Sequence, residues 1–506
     1  MLARLASASL RGLEAEAVDV EVDLSRGMPS WSLVGLPDAA VREARDRVRA
    51  ALLNSNFEFP LRHITVNLAP ADKRKDGSYF DLPVAIGLLL ASGQIRIEDG
   101  FENPKKLPFM VGELALDGRL NPVSGVLPLA IFAQSQGFES MIVPEANAEE
   151  ASVVEGLQVL TAYNLLDVAA HLSGKRLLKP ATELDMLLTK DEETPDLKDV
   201  RGQHQARRAL EITAAGGHHL LMSGPPGSGK SMLAARMPGI MPPLTAAQRL
   251  AVARVYSIAG EHTRSPMSSV PPFRSPHHSA SDVAMIGGGQ IPKPGEVSKA
   301  LFGMLFLDEL PEFKRPVLEV LRQPLESGTV SIARAADTLT FPAEFQLVGA
   351  MNPCPCGYWG HASKPCRCSL AQIQRYTARI SGPLLDRFDI RIHVPPVEHQ
   401  ELTQMNVGES SAMVKKRVLA ARARQYIRQG EGIVNARLLP TALEQHANPD
   451  AEGAELLTTA LNRFGLSARS YHRVLKVART IADLAAKEQI LAAHIAEALQ
   501  YRGDES

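Results

Sequence analysis

This sequence of 506 residues has no long apolar run, almost no net charge and few aromatic side chains, which make up 5% of it. The most apolar stretch, residues 82–93, is too short to cross a bilayer, which needs ~20 apolar residues. Glu14 and Glu16 interrupt the N-terminal stretch before it becomes the apolar centre of a signal peptide. We therefore expect a cytoplasmic protein with no membrane partner.

The balance of charges gives no sign of a generally basic protein that coats nucleic acid. Lys and Arg number 55, and Asp and Glu number 56, so the net charge is -1. Any contact with DNA must therefore depend on local groups of basic residues. Apolar residues make up 45% of the chain and charged residues 22%, which is typical of a globular protein and excludes a largely disordered or fibrous one.

At ~100–200 residues per domain, the length predicts two or three domains. Residues 1–173 alternate strand-like and helix-like apolar spacing and predict an α/β domain, whereas 174–196 are polar enough to be a linker. From 197 to 395 a helix, an apolar strand, a glycine loop and a second helix follow in the order found in nucleotide-binding sheets. Residues 396–506 have helical spacing to the end.

A glycine-rich loop fits the pattern G-x-x-x-x-G-K-[ST] between an apolar strand and a helix, the context that this phosphate-binding motif requires. Glycines allow backbone N–H groups to close around phosphates, the lysine reaches the β- and γ-phosphates, and the serine is a Mg²⁺ ligand. The loop consists of Gly224, Pro225, Pro226, Gly227, Ser228, Gly229, Lys230 and Ser231. We expect ATP and Mg²⁺ to bind here.

Polar residues that follow later strands predict the rest of a hydrolytic site. Asp308 and Glu309 end an apolar run, where Asp308 would hold Mg²⁺ and Glu309 would polarise the attacking water. Asn352 follows another apolar strand and would orient that water, although a turn-forming Asn before a proline is the alternative. Arg387 lies between two acids, where an isolated arginine would be a surface ion pair.

These motifs together resemble the AAA+ ATPases and, within them, the magnesium-chelatase-like YifB/ComM family of competence-related ATPases. The resemblance extends over essentially the whole chain. It is carried by residues 200–203, 224–231, 273–289, 293–313, 350–357 and 381–390. It implies a P-loop α/β core with a C-terminal helical lid.

The resemblance assigns further roles. Gln203 would lie near the adenine, and Asn352 matches the sensor 1 position. Arg387 matches an arginine finger that reaches the γ-phosphate of a neighbouring subunit, and Arg469 resembles the sensor 2 arginine of the lid. A finger supplied by a neighbour requires a ring, so the family implies a homo-hexamer.

The implied activity is that of an ATP-driven motor on DNA, specifically a helicase or branch-migration enzyme. It would promote integration of incoming single-stranded DNA in natural transformation. One alternative is an ATPase subunit that drives metal insertion into a tetrapyrrole, which the Lon-like and cysteine-containing segments disfavour. A second is a nucleotide-gated adaptor that binds proteins without translocating, because ATPase motifs do not specify the substrate.

Two stretches predict hairpins that would line the pore of a ring. Residues 287–295 resemble the hairpin inserted into helix 2 in this branch, and 329–341 resemble the pre-sensor 1 hairpin. The basic residues they would present to a DNA backbone are Lys293, Lys299 and Arg334. The alternative for each is a solvated surface charge.

All four cysteines lie within 15 residues of sequence and could hold a structural zinc ion. They are Cys354, Cys356, Cys366 and Cys368. The C-x-C spacing is tighter than usual for zinc, so free or redox-active thiols are the alternative, and His361 could replace one ligand. His277 and His278 could cap an element or contact a neighbour, and neither has an assigned role.

The N-terminal domain resembles the Lon protease fold through residues 33–52, 73–89 and 111–128. Lon-type proteolysis needs a serine activated by a lysine. Those two positions fall on Tyr79 and Leu127 here, so the dyad is absent. Ser78 is one residue away and has no evident base partner. We expect a non-proteolytic binding or ring-assembly module.

Overall fold

The computed structural model describes most of the chain. The described residues are 1–97, 106–181, 194–261, 265–289, 292–333, 338–361, 363–396, 408–464 and 467–502. None of the described helices combines the length and the apolar character that a bilayer span needs.

The N-terminal part begins with a four-stranded sheet in the order β1-β2-β4-β3, in which only the β3–β4 pair is parallel. Its strands are β1 (Leu2–Arg11), β2 (Glu14–Ser25), β3 (Ser30–Val34) and β4 (His63–Ala69), and its helices are α1 (Ala39–Asn54) and α2 (Asp81–Ser92). Alternate residues of β2 are buried, beginning with Val18 and Val20, because α2 packs against that face. The period-2 apolar spacing of the sequence is thereby explained.

A second, parallel sheet in the order β5-β8-β9 and a short hairpin complete this part. The elements are β5 (Phe109–Met110), β6 (Glu113–Leu114), β7 (Leu120–Asn121), α3 (Val126–Ser135), β8 (Ser140–Pro144), α4 (Ala148–Ala151), β9 (Gln158–Ala162) and α5 (Leu165–Leu172). Buried apolar side chains from Leu5 to Leu172 form one core, separate from the cores of the later chain. The α/β prediction for this part is confirmed.

The central part is built around a parallel five-stranded sheet in the order β11-β14-β17-β10-β18. The strands are β10 (Leu220–Ser223), β11 (Phe273–Arg274), β14 (Met304–Leu307), β17 (Gln346–Met351) and β18 (Ile390–His393). β14 and β17 are buried along their whole length, which explains their unbroken apolar runs. Since the strands are parallel, the residues that follow β10, β11, β14 and β17 all lie at the carboxyl end of the sheet's strands.

Helices cover this sheet and connect its strands. They are α6 (His204–Gly216), α7 (Lys230–Ala234), α8 (Met237–Ile240), α9 (Ala246–Ala259), α10 (Asp282–Ile286), α11 (Glu296–Lys299), α12 (Arg315–Glu319), α13 (Arg322–Ser327), α14 (Leu370–Thr377) and α15 (Gly382–Leu385). Two antiparallel hairpins project from the connections, β12 (Gly287–Gly288) with β13 (Lys293–Pro294) and β15 (Thr329–Ala333) with β16 (Thr338–Pro342). Both predicted hairpins are confirmed as structural elements.

The C-terminal part is helical, as predicted. Its helices are α16 (Ser411–Gln429), α17 (Pro440–His446), α18 (Ala451–Phe464), α19 (Ala468–Leu484) and α20 (Ala492–Gln500). One apolar core extends from Leu197 to Tyr501, because α6 packs against both α16 and α19. The helical part is therefore fused to the nucleotide-binding sheet, and the core shows no break near the predicted boundary at 396.

Candidate nucleotide-binding site

The glycine loop connects β10 to α7, and its shape depends on the absence of side chains. Gly227 and Gly229 have φ values of 78° and 90°, a region where a Cβ atom is strained. A Cβ on Gly224 would lie 2.2 Å from the carbonyl oxygen of Val394. The pattern read from the sequence therefore corresponds to a turn that other residues could not form.

Lys230 folds back over this loop. Its Nζ donates hydrogen bonds to the carbonyl oxygens of Gly224 at 2.7 Å and Pro225 at 3.0 Å. Burial lowers the pKa of the Lys230 ammonium. The hydroxyl of Ser228 is buried and has no hydrogen-bond partner in the part of the chain that the structure describes. A buried cation and an unused donor beside open glycines fit a triphosphate.

The predicted Mg²⁺ ligands lie together. The Ser231 hydroxyl donates to Oδ2 of Asp308 across 2.5 Å, which brings the start of α7 to the end of β14. A hydroxyl and a carboxylate side by side are ligands that Mg²⁺ accepts along with phosphate oxygens and water. The donor set therefore fits the ion that the sequence predicts.

Glu309 is turned away from the strand by an unusual backbone conformation. Its φ is 51°, in the left-handed region that non-glycine residues seldom occupy. The carboxylate is exposed to solvent, unlike the buried strand before it. A carboxylate aimed at open space beside the predicted Mg²⁺ ligands is positioned to accept a proton from water.

His278 is one of the two adjacent histidines to which the sequence assigns no role. Its Nδ1 lies 3.5 Å from Oε2 of Glu309, and its ring lies against that of His277, with centroids 4.0 Å apart and the planes tilted by 34°. The contact arises because β11 and β14 are parallel neighbours, so residues beyond both strands meet. The signal in the sequence was a histidine pair shortly after the FR strand, but strand order was needed to interpret it.

Asn352 and Gln203 each contact a residue of the glycine loop. Oδ1 of Asn352 is 3.4 Å from Nζ of Lys230. Gln203 has a φ of 52° and donates from Nε2 to the carbonyl oxygens of Ser228 at 3.3 Å and Pro395 at 2.6 Å. Both side chains are therefore adjacent to the loop, and the roles assigned to them stay predictions.

Arg387 lies at the opposite end of the strands from the glycine loop. It precedes β18, and β18 is parallel to β10, so the four residues of the strand separate it from the glycine loop by about 13 Å. Its guanidinium pairs with Glu326. Burial lowers its pKa, and three nearby arginines lower it further; these are Arg469, Arg473 and Arg322. Arg387 and Arg469 thus belong to one arginine cluster, remote from the chain's own Lys230.

The three residues predicted to contact DNA differ in how exposed and how paired their side chains are. Lys299 is 14% exposed and pairs with Glu261 at 2.5 Å and Glu296 at 3.2 Å, so its charge is already paired within its own chain, and its contact with DNA stays a prediction. Lys293 is exposed on β13, where it lines a cavity of about 720 Å³ beside the N-terminal part. Arg334 lies outside the described residues.

The four cysteines converge on one point. The Sγ atoms of Cys354, Cys356 and Cys366 lie 3.4 to 3.6 Å apart, and all four sulfurs are within 4.8 Å of one another. A disulfide needs about 2.05 Å. Four thiolates at 2.3 Å from a tetrahedral zinc ion lie about 3.8 Å apart. The spacing is therefore that of a metal site.

The thiols also differ in acidity. Hydrogen bonds from the backbone of Arg367 and Tyr358 lower the pKa of the Cys356 thiol to about 6. Although the Cys368 backbone donates to Cys366, burial and the neighbouring thiols raise the pKa of Cys366 to about 12. Four thiolates can gather at this distance only when a cation offsets their charge.

The two Lon dyad positions are apolar in their surroundings. Tyr79 is buried, its hydroxyl accepts a hydrogen bond from the Leu10 N–H at 3.1 Å, and burial raises its pKa to about 12. Leu127 is fully buried at the start of α3. Neither side chain can take the part of the serine or the lysine of a Lon dyad at neutral pH.

Comparison with known proteins places these features in a family. Three family models match consecutive parts of the chain: subunit ChlI of Mg-chelatase over 20–147, magnesium chelatase subunit ChlI over 196–402, and its C-terminal part over 408–502. The chain is 48% identical to the competence protein ComM of Haemophilus influenzae over 99% of this chain and 97% of that protein. It is 46% identical to the uncharacterized protein YifB of Escherichia coli over 97% and 95% of the two chains. A Lon protease of Mycolicibacterium smegmatis is 24% identical over 32% of this chain and 21% of that protease.

Proposed function

The chain belongs to the YifB/ComM family of magnesium-chelatase-like AAA+ ATPases, and on that premise we propose that it is a hexameric, ATP-driven motor acting on DNA. More specifically, we propose a helicase or branch-migration enzyme that promotes integration of incoming single-stranded DNA. The observation that carries the ATP-hydrolysing part of the proposal is the meeting of a cation, an amide and two acids at one end of the parallel strands. They are Lys230, Asn352, Asp308 and Glu309.

The proposed chemistry follows from this arrangement. Lys230 would exchange its loop carbonyls for phosphate oxygens of ATP, a stronger charge-assisted contact. Ser231 and Asp308 would hold Mg²⁺, which would supply positive charge to offset that of the phosphates. Glu309 would accept the proton of the attacking water, and Asn352 would orient that water.

A ring is proposed because the arginine cluster lies far from its own glycine loop. At the opposite end of the strands, the charges of Arg469 and its neighbours Arg473 and Arg322 add to burial in lowering the pKa of Arg387. Gathering like charges has a cost that an anion can offset. The triphosphate of a neighbouring subunit would be such an anion, and a closed ring supplies a neighbour to every subunit. Six copies follow from the family.

We propose the domain bounds that the sequence predicts. These are a Lon-like, non-proteolytic module over 1–173, a linker over 174–196, the ATPase core over 197–395 and a helical lid over 396–506. The N-terminal module docks on α9 of the core. The N–H of Leu127 donates to the Ser257 hydroxyl at 3.3 Å, and Arg254 donates to the carbonyl of Leu13 at 2.6 Å. Helix α9 also contacts β13 of the β12–β13 hairpin, and this docking of the module on the ATPase core supports a binding or ring-assembly role.

DNA is expected to stimulate ATP hydrolysis in a manner that depends steeply on salt. Phosphate contacts release counterions, so log affinity should fall linearly with log salt, with a slope of about 0.7 to 0.9 per contacted phosphate. Lys293→Gln should reduce that slope, because Lys293 is exposed on a hairpin. The measurement is ATPase rate against DNA concentration for single-stranded, duplex and branched DNA across a salt series.

The matched control for this experiment is Lys416→Gln, an exposed charge on α16. It should leave both the slope and the stimulation unchanged. The protein could hydrolyse ATP rapidly without stimulation by any of these DNA structures and without branch migration. That result would support the ATPase assignment and contradict the proposed DNA motor. That result would favour the nucleotide-gated adaptor.

His278→Ala is expected to lower kcat for ATP about tenfold with little change in KM, because the ring orients Glu309 rather than binding ATP. His278→Gln, which can still donate a hydrogen bond, should recover part of the loss. His277→Ala removes the ring beside His278 and its hydrogen bond with the Ser279 hydroxyl, but it keeps the imidazole next to Glu309 and should cost less. An unchanged kcat in His278→Ala, or equal losses in kcat and affinity, would contradict the positioning role.

A further inference from the structure

The segment from Cys354 to Cys368, here called the cysteine knuckle, lies against the phosphate-binding loop. A Cβ atom on Gly357 would lie 2.4 Å from Cδ of Pro226 and 2.7 Å from its Cγ, so the two turns touch with no room for a methyl group. The knuckle also begins two residues after Asn352. It is therefore connected to the candidate site by contact on one side and by the chain on the other.

The knuckle has almost no apolar interior. Among its described residues only Cys354 and Gly357 are buried, and Trp359 is 47% exposed. A segment that buries so little apolar surface cannot hold its shape by packing and needs a cross-link. The four converging sulfurs, spaced for a tetrahedral ion, are the cross-link that these residues offer.

We propose that the four cysteines hold a zinc ion and that the zinc-loaded knuckle is a wall of the nucleotide site, holding the phosphate loop through the contact between Gly357 and Pro226. Thiolate-only ligation at this spacing selects zinc over hard cations. Zinc binding displaces the thiol protons to solvent and supplies folding free energy to the knuckle. Loss of the ion would release the support of Pro226 and of the chain next to Asn352. This inference rests on the proposed nucleotide site but not on a DNA substrate.

Elemental analysis of the full-length protein purified under reducing conditions tests the metal site. One zinc ion per chain is expected, and cobalt substitution should give the intense visible bands of a tetrahedral thiolate site. The double variant Cys366→Ser with Cys368→Ser should lose the ion. His361→Ala should keep it, because His361 Nδ1 accepts from the backbone N–H groups of Ser363 and Lys364 within its own turn. Metal-free wild-type protein that takes up no zinc on titration would overturn the proposal.

Two glycine variants test the contact with the phosphate loop. Gly357 and Gly360 both have positive φ, 83° and 75°, so alanine strains the backbone at either position. Only at Gly357 would the new methyl group meet Pro226, whereas at Gly360 it would meet nothing within 4 Å. Gly357→Ala should retain zinc but bind a fluorescent ATP analogue about tenfold more weakly, and Gly360→Ala should retain both.

Removing the metal from the wild-type protein avoids any folding defect of a variant. A zinc-selective chelator in excess Mg²⁺ should weaken analogue binding by a similar factor, and added zinc should restore it. If zinc-free protein binds the analogue as tightly as loaded protein, the knuckle is not part of the nucleotide site and the inference fails. If the zinc-loaded wild type binds no ATP analogue, the proposed nucleotide site fails first, so the two failures are distinguishable.

Discussion

Glu309→Gln is expected to lower kcat for ATP hydrolysis by about 10²- to 10⁴-fold while ATP stays bound. The amide preserves the shape of the side chain and the unusual backbone at φ 51°, but it cannot accept a proton from water. Single-turnover hydrolysis and equilibrium binding of labelled ATP measure the two effects separately. Because bound ATP is no longer consumed, we also expect the proposed ring to stay assembled, which light scattering of the ATP-loaded protein would show.

The matched control is Glu312→Gln, three residues further along. Glu312 is exposed and pairs with Arg379 at 2.7 Å, an interaction worth about 0–1 kcal/mol at a surface. It should hydrolyse ATP at the wild-type rate. A Glu309→Gln protein that turns over normally would mean that another group accepts the proton, and the assignment of Glu309 would be wrong.

The nucleotide loop and its acids were predictable because their information is local. The geometry of Gly227 and Gly229 and the adjacency of Asp308 and Glu309 depend on consecutive residues whose backbone chemistry permits little else. The strands that carry them are buried on both faces and therefore read as unbroken apolar runs. The same locality made the four cysteines identifiable as a group.

Lys299 and His278 show what local information omits. Lys299 forms an ion pair with Glu261, a residue 38 positions earlier, and no spacing rule in the sequence predicts that pair. His278 reaches Glu309 only because β11 and β14 are neighbours in the sheet. Such contacts follow from strand order, which composition and periodicity do not determine.

The packing of the C-terminal helices also could not be predicted from local sequence. Their helical spacing was readable, but their fusion to the sheet through α6 was not, because it depends on which apolar faces meet. Consequently the sequence could identify Arg469 by resemblance without indicating whether it faces its own nucleotide or a neighbour's. In the structure Arg469 lies close to Arg387, at the end of the strands opposite the glycine loop of its own chain.

Arg387→Ala should therefore reduce ATP hydrolysis by about 10³- to 10⁵-fold, the effect of removing an arginine that offsets transition-state charge, while ATP binding to each subunit is retained. Arg387→Lys should also be impaired, because a point charge does not replace the planar fork of a guanidinium. Arg119→Ala, which removes an exposed arginine paired with Asp117 on the N-terminal module, is the control for loss of one positive charge and should hydrolyse normally.

Mixing two inactive proteins decides whether Arg387 acts on its own subunit or on the next. Lys230→Ala subunits would bind no ATP but still present Arg387, whereas Arg387→Ala subunits would bind ATP but present no finger. In rings mixed at equal ratio, about a quarter of the interfaces join a competent site to a competent finger, so about a quarter of the wild-type rate should return if interfaces act independently. An arginine acting within its own subunit predicts no recovery at any ratio. Since the four-residue β18 separates Arg387 from the glycine loop of its own chain, recovery is the expected result.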